Sequence, residues 1–449
     1  MNKAYLSTLI KTCKSKGATC AEAYYVSSFT TKVDVLNQEV ESIDEMKEMG
    51  LALRVIKDGK LGFVYSSNLE AEDAESLAGQ ALHNAGSSSE DKFNLLPSPT
   101  DSINGHPTNY YDPAISQIGI EEKIKLARAM EVAAYDYDER IKKTEKVSFS
   151  DSELEVWILN SRGIDAHYKA NYCGGMAEVI ALEDGGGDAG MGIDFVTLHK
   201  NFDAKKIGEE AGRSATQLLG AGPIPSQKMN IILEPKIGAE LLGIIASSFS
   251  ADNVQKGKSL FAGQMEKTVA SGQITIIDDG MLKEGIATTP FDAEGVPTQE
   301  TALVEGGVLK GLLHNAYTAA KDGVSSTGNS QRGSFKTLPG ISASNIYIKP
   351  GPHLAAAIIS KCQKGLYVTR VMGLHTANPI TGEFSFGASG ILVENGIKTK
   401  PVKGITIAGN LIEMLKQVEA VGSDLRFVPY SANLGSPTLL ITGISVSGS

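Results

Sequence analysis

The sequence is poor in the features that several large classes of protein require. It has no surplus of positive charge: 42 Lys and Arg stand against 52 Asp and Glu, a formal charge of −10. A nucleic-acid backbone needs a basic face, so direct binding to DNA or RNA is not expected. The four cysteines, Cys13, Cys20, Cys173 and Cys362, form no CxxC pair. That spacing suggests neither a disulfide framework nor a zinc knuckle, and free thiols are the simplest reading. No apolar run approaches the roughly 20 residues that cross a bilayer, and residues 241 to 246 are typical of what is present. The opening MNKAYLSTLIKTCKSKG also lacks an uninterrupted apolar segment, so a cytoplasmic location is expected, with no membrane contact.

Two further absences narrow the chemistry. No GxSxG occurs, which removes the commonest serine-hydrolase elbow. None of the seven histidines, at 83, 106, 167, 199, 314, 353 and 375, has a second His or Cys at the short helical spacing that zinc hydrolases use. Two apparent nucleotide motifs also fail on context. Gly185, Gly187 and Gly190 match GxGxxG but lead into the alternating GIDFVTLHK instead of a helix, so a hairpin loop is expected there. Gly257-Lys258-Ser259 ends like a phosphate loop, yet Asp252 stands where the first glycine belongs and would repel a phosphate.

What remains describes an ordinary globular protein. At 449 residues the chain exceeds one hydrophobic core, and 48 glycines falling between short β-branched runs point to many turns. The fold class expected is α+β: an N-terminal α/β-type domain of strands and helices, 1–222, followed by a β-rich C-terminal domain, 226–449. Helices are expected over 3–16, 70–85, 120–136, 204–219, 235–250, 353–362 and 409–421. Strands are expected over 21–35 and 50–65, the latter folded at Lys57-Asp58-Gly59-Lys60, and over 144–199 with a turn at 160–163. The Pro- and Asn-rich 95–113 stretch joins two units within the first domain, and GAGPIPSQ, 220–227, marks the boundary with the second.

AELLGIIASSFSADNVQKGKS, 239–259, raises the main functional question, because an apolar helix there runs into Ser, Asp and Asn. Helical spacing puts Leu241, Leu242, Ile245 and Phe249 on one face, packed on the strand at 230–233, and turns Ser247, Ser248, Ser250 and Asp252 away. Among the histidines, His314 with Asn315 and His375 in HTANPITGEF end strand-like runs, where loops carry function. With Asn378, Thr381 and Glu383 they are the candidate peptide-cleft residues. The bland reading is that Asn378 and Thr381 only close their own Pro-initiated turn.

Residues 373–396 and 401–424, with ITIIDDG at 274–280, residues 291–319 and the terminal SPTLLITG, resemble the TldD/PmbA family, often labelled modulators of DNA gyrase. The resemblance implies a two-part system. Its TldD branch is a zinc peptidase with an HExxxH helix and a Cys ligand near the C-terminus, and its PmbA (TldE) branch is a motif-less partner. The metal-motif positions fall at about Gly243, Ile244 and Ser248. No His or Glu occurs from 241 to 265, and FVPYSANLGSP, 427–437, has no Cys. The resemblance therefore implies a PmbA-type pseudoenzyme, inactive alone and without a cofactor. It would form a dimer with a TldD-like metallopeptidase subunit, or with itself when alone, and act on peptides or unfolded proteins. Two alternatives stay open. One is an independent hydrolase built on His314, His375, Glu383 and Asp278 or Asp279. The other is a scaffold or binding protein that acts indirectly on gyrase.

Overall fold

Leu6, Leu9, Ile10 and Cys13 recur at helical spacing. In the computed structural model, which describes residues 3–68, 73–99, 110–183, 186–430 and 432–448, they are the buried face of α1 (Lys3–Ser15). Gly185 and residues 100–109 of the expected 95–113 connection, His106 included, lie outside the described residues.

The N-terminal half is organised by one antiparallel sheet. Its strands are β1 (Cys20–Leu36), β2 (Glu39–Lys57), β3 (Lys60–Ser66), β4 (Ile141–Asn160), β5 (Asp165–Glu183) and β6 (Gly186–Val196), in the order β3-β2-β1-β4-β5-β6. The two expected N-terminal units therefore share a single sheet. Two helix layers cover one face. One is α1 with α2 (Ala74–Gly86); the other is α4 (Ile120–Tyr137) with α5 (Ala204–Thr216), entered through the short α3 (Pro113–Ser116).

Two features of this sheet depart from the sequence reading. The charged stretch from 39 to 49, which carries no strand signature, extends β2. It is placed there by the two-residue turn at Asn37 and Gln38, both at positive φ, whose backbone N–H groups donate to the buried Glu131 of α4 at 2.9 and 2.6 Å. The glycine run expected as a loop is mostly strand β6. A Cβ on Gly190 would strike the backbone of Ala211 and Ala215, and one on Gly192 that of Ile207 and Ala211. These glycines let α5 lie directly on the strand.

The C-terminal half holds two six-stranded sheets. One has the order β10-β9-β8-β13-β19-β18, from β8 (Ile276–Asp279), β9 (Glu300–Glu305), β10 (Val308–Leu309), β13 (Asn345–Ile348), β18 (Arg426–Pro429) and β19 (Asn433–Ser436). The other runs β16-β15-β14-β7-β20-β17, from β7 (Gln227–Leu233), β14 (Lys364–Met372), β15 (Glu383–Glu394), β16 (Ile397–Asn410), β17 (Val418–Val421) and β20 (Leu439–Ser447); β20 also pairs with β16 and closes the sheet on itself. A minor ribbon joins β11 (Ser330–Gln331) to β12 (Gly340–Ile341). The expected 409–421 helix is only Leu411–Lys416, because Val418–Val421 leaves it to pair with β20.

Helix α6 (Pro235–Ala246) sits between the two C-terminal sheets, in a core that includes Ile231, Leu233, Ile346, Leu366 and Leu434. Leu241, Leu242, Ile245 and Phe249 are buried as their spacing predicts. Ser248 and Ser250 are buried too, which corrects the expectation that they face away. The α-helix ends at Ala246 and tightens to a 3-10 turn at Ser247–Phe249, shifting the phase of everything after it.

The two halves meet through a buried ionic cluster. Glu22 of β1, fully buried, accepts from Arg54 Nε and Nη2 at 3.1 and 2.7 Å and from Arg332 Nη2 at 2.7 Å. Arg54 Nη1 donates to Glu294 at 2.8 Å, and the other Glu294 oxygen accepts from the Ala316 backbone N–H. Arg332 also lies over the Tyr24 ring, 4.7 Å from its centroid. Around the cluster pack Tyr24, Val156, Ile158 and Ile164 of the N-terminal sheet with Phe291 and Phe335 of the C-terminal half.

Candidate functional site

The site is built on α6. Proline at its first turn is pre-set for a helix start, and two glycines bring it close to β19. A Cβ at Gly238 would meet the Ser436 side chain, and one at Gly243 would lie 2.6 Å from Leu434 Cδ1. The exposed flank of the helix then floors a groove of about 660 Å3. Glu240, Gly243, Ile244 and Ser247 supply the floor, Val371, Leu374, His375, Ala377 and Pro379 one wall, and Tyr430 and Leu434 the other. A smaller cavity of about 120 Å3 shares Gly243, Ser247 and Leu434 and continues toward Leu313 and residues 341 to 343.

Polar groups are few in this groove. Tyr430 Oη donates to Glu240 Oε1 at 2.7 Å. Burial raises the Glu240 carboxyl above the ordinary range, against the opposing effects of that hydrogen bond and of Lys236. His375, in the 3-10 turn Leu374–Thr376, is exposed at the rim. The arrangement suits an extended peptide: an apolar trough for side chains with a carboxylate and a phenol at one side.

The sequence candidates separate in space. His375 lines the groove, as do Gly243 and Ile244. Ser248 does not; it is buried, with its hydroxyl 3.5 Å from the Pro379 carbonyl and its own carbonyl accepting from Ser259. Asn378 Oδ1 accepts from the backbone N–H of Ile380 and Thr381, Thr381 Oγ1 accepts from the Glu383 N–H at 3.4 Å, and the Thr381 carbonyl accepts from Asn410. These three residues close their own turn. Asn315 caps the short helix Ala316–Asp322 in a reciprocal capping box with Thr318. His314 beside it is buried, its Nδ1 without a partner, and burial lowers its pKa below the usual imidazole value. Asp278 accepts from Asn329 Nδ2, Ser344 N–H and Ser344 Oγ at 2.6 to 3.0 Å, which ties β8 to neighbouring loops. Asp279 accepts from the Met281 N–H. The residues of the independent-hydrolase alternative thus do not converge on one site, and of them only His375 reaches the groove. Glu240 and Tyr430 were missed. Glu240 lies three residues before Gly243 on the same helical face, a signal that was available in sequence; Tyr430 is 190 positions away.

A metal site of the peptidase kind needs three protein donors with an open fourth position. Gly243, Ile244 and Ser248 offer no nitrogen, thiolate or carboxylate, and any larger side chain at 243 would have to displace Leu434. Among the described residues no three His, Cys, Asp or Glu side chains converge as a metal would require. The groove does not fit a catalytic zinc. Among the described residues, too, no helix is long and apolar enough to cross a membrane.

Comparison with known proteins agrees across the length of the chain. Family models for the PmbA/TldA metallopeptidase match as domain 1 over residues 21–85, as central domain over 113–219 and as C-terminal domain over 226–448. An uncharacterized protein of Methanocaldococcus jannaschii is 30% identical over 98% of this chain and 99% of its own. The metalloprotease PmbA homolog of Haemophilus influenzae is 27% identical, covering 97% and 93%. A crystal structure from Thermotoga maritima, of a proposed modulator of a DNA gyrase, superposes with a TM-score of 0.90 at 28% identity, covering 99% of this chain and 100% of that one. TldE from Thermococcus kodakarensis shares the fold, with a TM-score of 0.91 at 23% identity over 99% and 100%. The chain belongs to the PmbA/TldD family of metallopeptidases.

Proposed function

We propose that this chain is the non-catalytic, PmbA/TldE-type subunit of a two-chain peptidase. Its α6 groove holds part of an extended or unfolded polypeptide, while a TldD-type partner supplies the metal and the hydrolytic chemistry. The observation that carries this reading is the groove itself. It is shaped for peptide side chains, and glycine and isoleucine occupy the helix positions where the catalytic branch is expected to carry metal ligands.

The test uses the complex with a TldD-type chain from the same genome and unfolded casein as substrate. Ser247 is exposed at the end of α6, so Ser247→Trp places an indole in the groove without touching the core. Cleavage is expected to fall about tenfold or more, the effect of losing roughly 1.4 kcal/mol of substrate binding or more, with complex formation unchanged. His375→Ala, at an exposed rim position, is expected to leave stability within about 0.5 kcal/mol and to reduce cleavage less. Undiminished cleavage by the Ser247→Trp complex would remove the groove from the account.

A further inference from the structure

The outer half of β2 is an open sheet edge. Strand β3 pairs with β2 only over Leu51–Lys57, and from Glu39 to Gly50 no described residue pairs with its outer side. At about 3.3 Å per residue this edge is on the order of 35 Å long. It is already ordered: the segment pairs with β1 along its length except for a bulge at Glu41, and Glu131 holds the turn at its tip. A strand added here would meet a template with little left to freeze.

Residues 39 to 49 carry Glu39, Glu41, Asp44, Glu45 and Glu48 against a single base, Lys47. Between the charges, Val40, Ile43 and Met46 are 36%, 45% and 54% exposed. Ile43 stands opposite Val33 and Met46 opposite Thr30, so apolar contact surface is present on both faces of the ribbon. Scattered charge is a common defence of exposed edges, but apolar side chains on both faces of a long, ordered edge work against that defence. They fit an edge that is covered in use.

The charge selects the occupant. A second copy of this chain, pairing edge to edge about a two-fold axis, would set a net four negative charges against four more, and like charges across a strand pair are unfavourable. We infer that this edge receives an extended strand of the TldD-type partner subunit, one that presents Lys or Arg between apolar residues. The inference rests on the two-chain reading above and adds to it a place and a chemistry of contact. It also makes pairing selective for the unlike subunit, because the same charges that attract a basic strand disfavour the homodimer.

The experiment measures association with the TldD-type chain from the same genome, by sedimentation and surface binding, for the wild type and for the triple variant Glu41→Lys, Asp44→Lys, Glu45→Lys. All three side chains are exposed or half-exposed at the edge, so the fold should survive; Met46→Lys alone serves as a milder second variant. The expected result is a Kd raised at least hundredfold by the triple change, and a wild-type Kd that rises between 50 and 500 mM salt. Equal binding by wild type and triple variant overturns this inference and leaves the two-chain reading standing. No complex with the wild type overturns both. Wild-type homodimers that the triple variant abolishes would assign the edge to a second copy instead.

Discussion

Glu22→Ala is expected to cost about 3–5 kcal/mol, the range for removing one partner of a buried ion pair. Glu22 is fully buried, and both its oxygens are committed to guanidinium groups, those of Arg54 and Arg332. Truncation leaves Arg54 with Glu294 alone and leaves Arg332 with the Thr337 carbonyl and the Tyr24 ring. Two cations then share a site without the carboxylate that held them apart. Domains are stable by roughly 5–15 kcal/mol in total, so this one change should bring the melting transition close to working temperature. By contrast Lys205→Ala, which removes an exposed i,i+4 pair with Glu209, should change stability by less than about 0.5 kcal/mol. Chemical denaturation of the three proteins measures both figures. Near-equal stability of Glu22→Ala and wild type would mean that the halves are held by apolar packing alone.

The second large effect is in the pH dependence. Asp292 is buried in the same junction, and burial together with the Glu294 carboxylate pushes it up to about 8, although three backbone N–H groups, of Glu294, Val296 and Ser330, favour its anion. Burial likewise pushes Asp278 up to about 6. A carboxyl whose folded pKa is raised contributes stability that is complete below its unfolded value near 4 and is lost as pH rises through the folded value. Each unit is worth about 1.4 kcal/mol; Asp278 alone then accounts for roughly that much between pH 5 and pH 8, and Asp292 for more, so the protein should lose at least about 2 kcal/mol over the interval. Carboxyls with lowered values, such as Asp138 at about 2 beside Arg140, are already ionised in this window and do not mask the trend. Asp292→Asn removes the titrating group, and its stability should change distinctly less over the same interval. The slope is the test, since the amide cannot accept all three N–H bonds and lowers stability at every pH. Parallel slopes for variant and wild type would show that Asp292 does not carry the effect.

Much of the local structure was legible because local rules were obeyed. Leu6, Leu9, Ile10 and Cys13 mark α1, the Asp58-Gly59 turn separates β2 from β3, and Leu241, Leu242, Ile245 and Phe249 form the buried face of α6 and the turn that follows it. The errors arose where tertiary contacts decide. Gly190 reads as a loop residue in sequence, but it and Gly192 are strand positions that a helix backbone must approach. Ser248 and Ser250 were placed by extending a helix that stops at Ala246. The charged 39–49 stretch is a strand because β1 and a turn pinned by Glu131 make it one, not because its residues favour the conformation. The site was half legible. His375 and the metal-motif positions Gly243 and Ile244 meet in one groove, whereas Asn378, Thr381 and Glu383 proved to be the chemistry of their own turn. Tyr430 with Glu240, Arg54 with Glu294 and Arg332 with Glu22 join residues 190 to 310 positions apart. No periodicity reports such pairs.

In the two-chain reading proposed above, this chain contributes binding and its partner contributes chemistry. The direct measurement is zinc content and casein cleavage for the purified chain, for the TldD-type partner and for their complex, each with and without a chelator. This chain alone is expected to hold no stoichiometric zinc and to cleave nothing, and the complex is expected to show chelator-sensitive cleavage that exceeds that of the partner alone. Chelator-sensitive cleavage by this chain in the absence of any partner would contradict it.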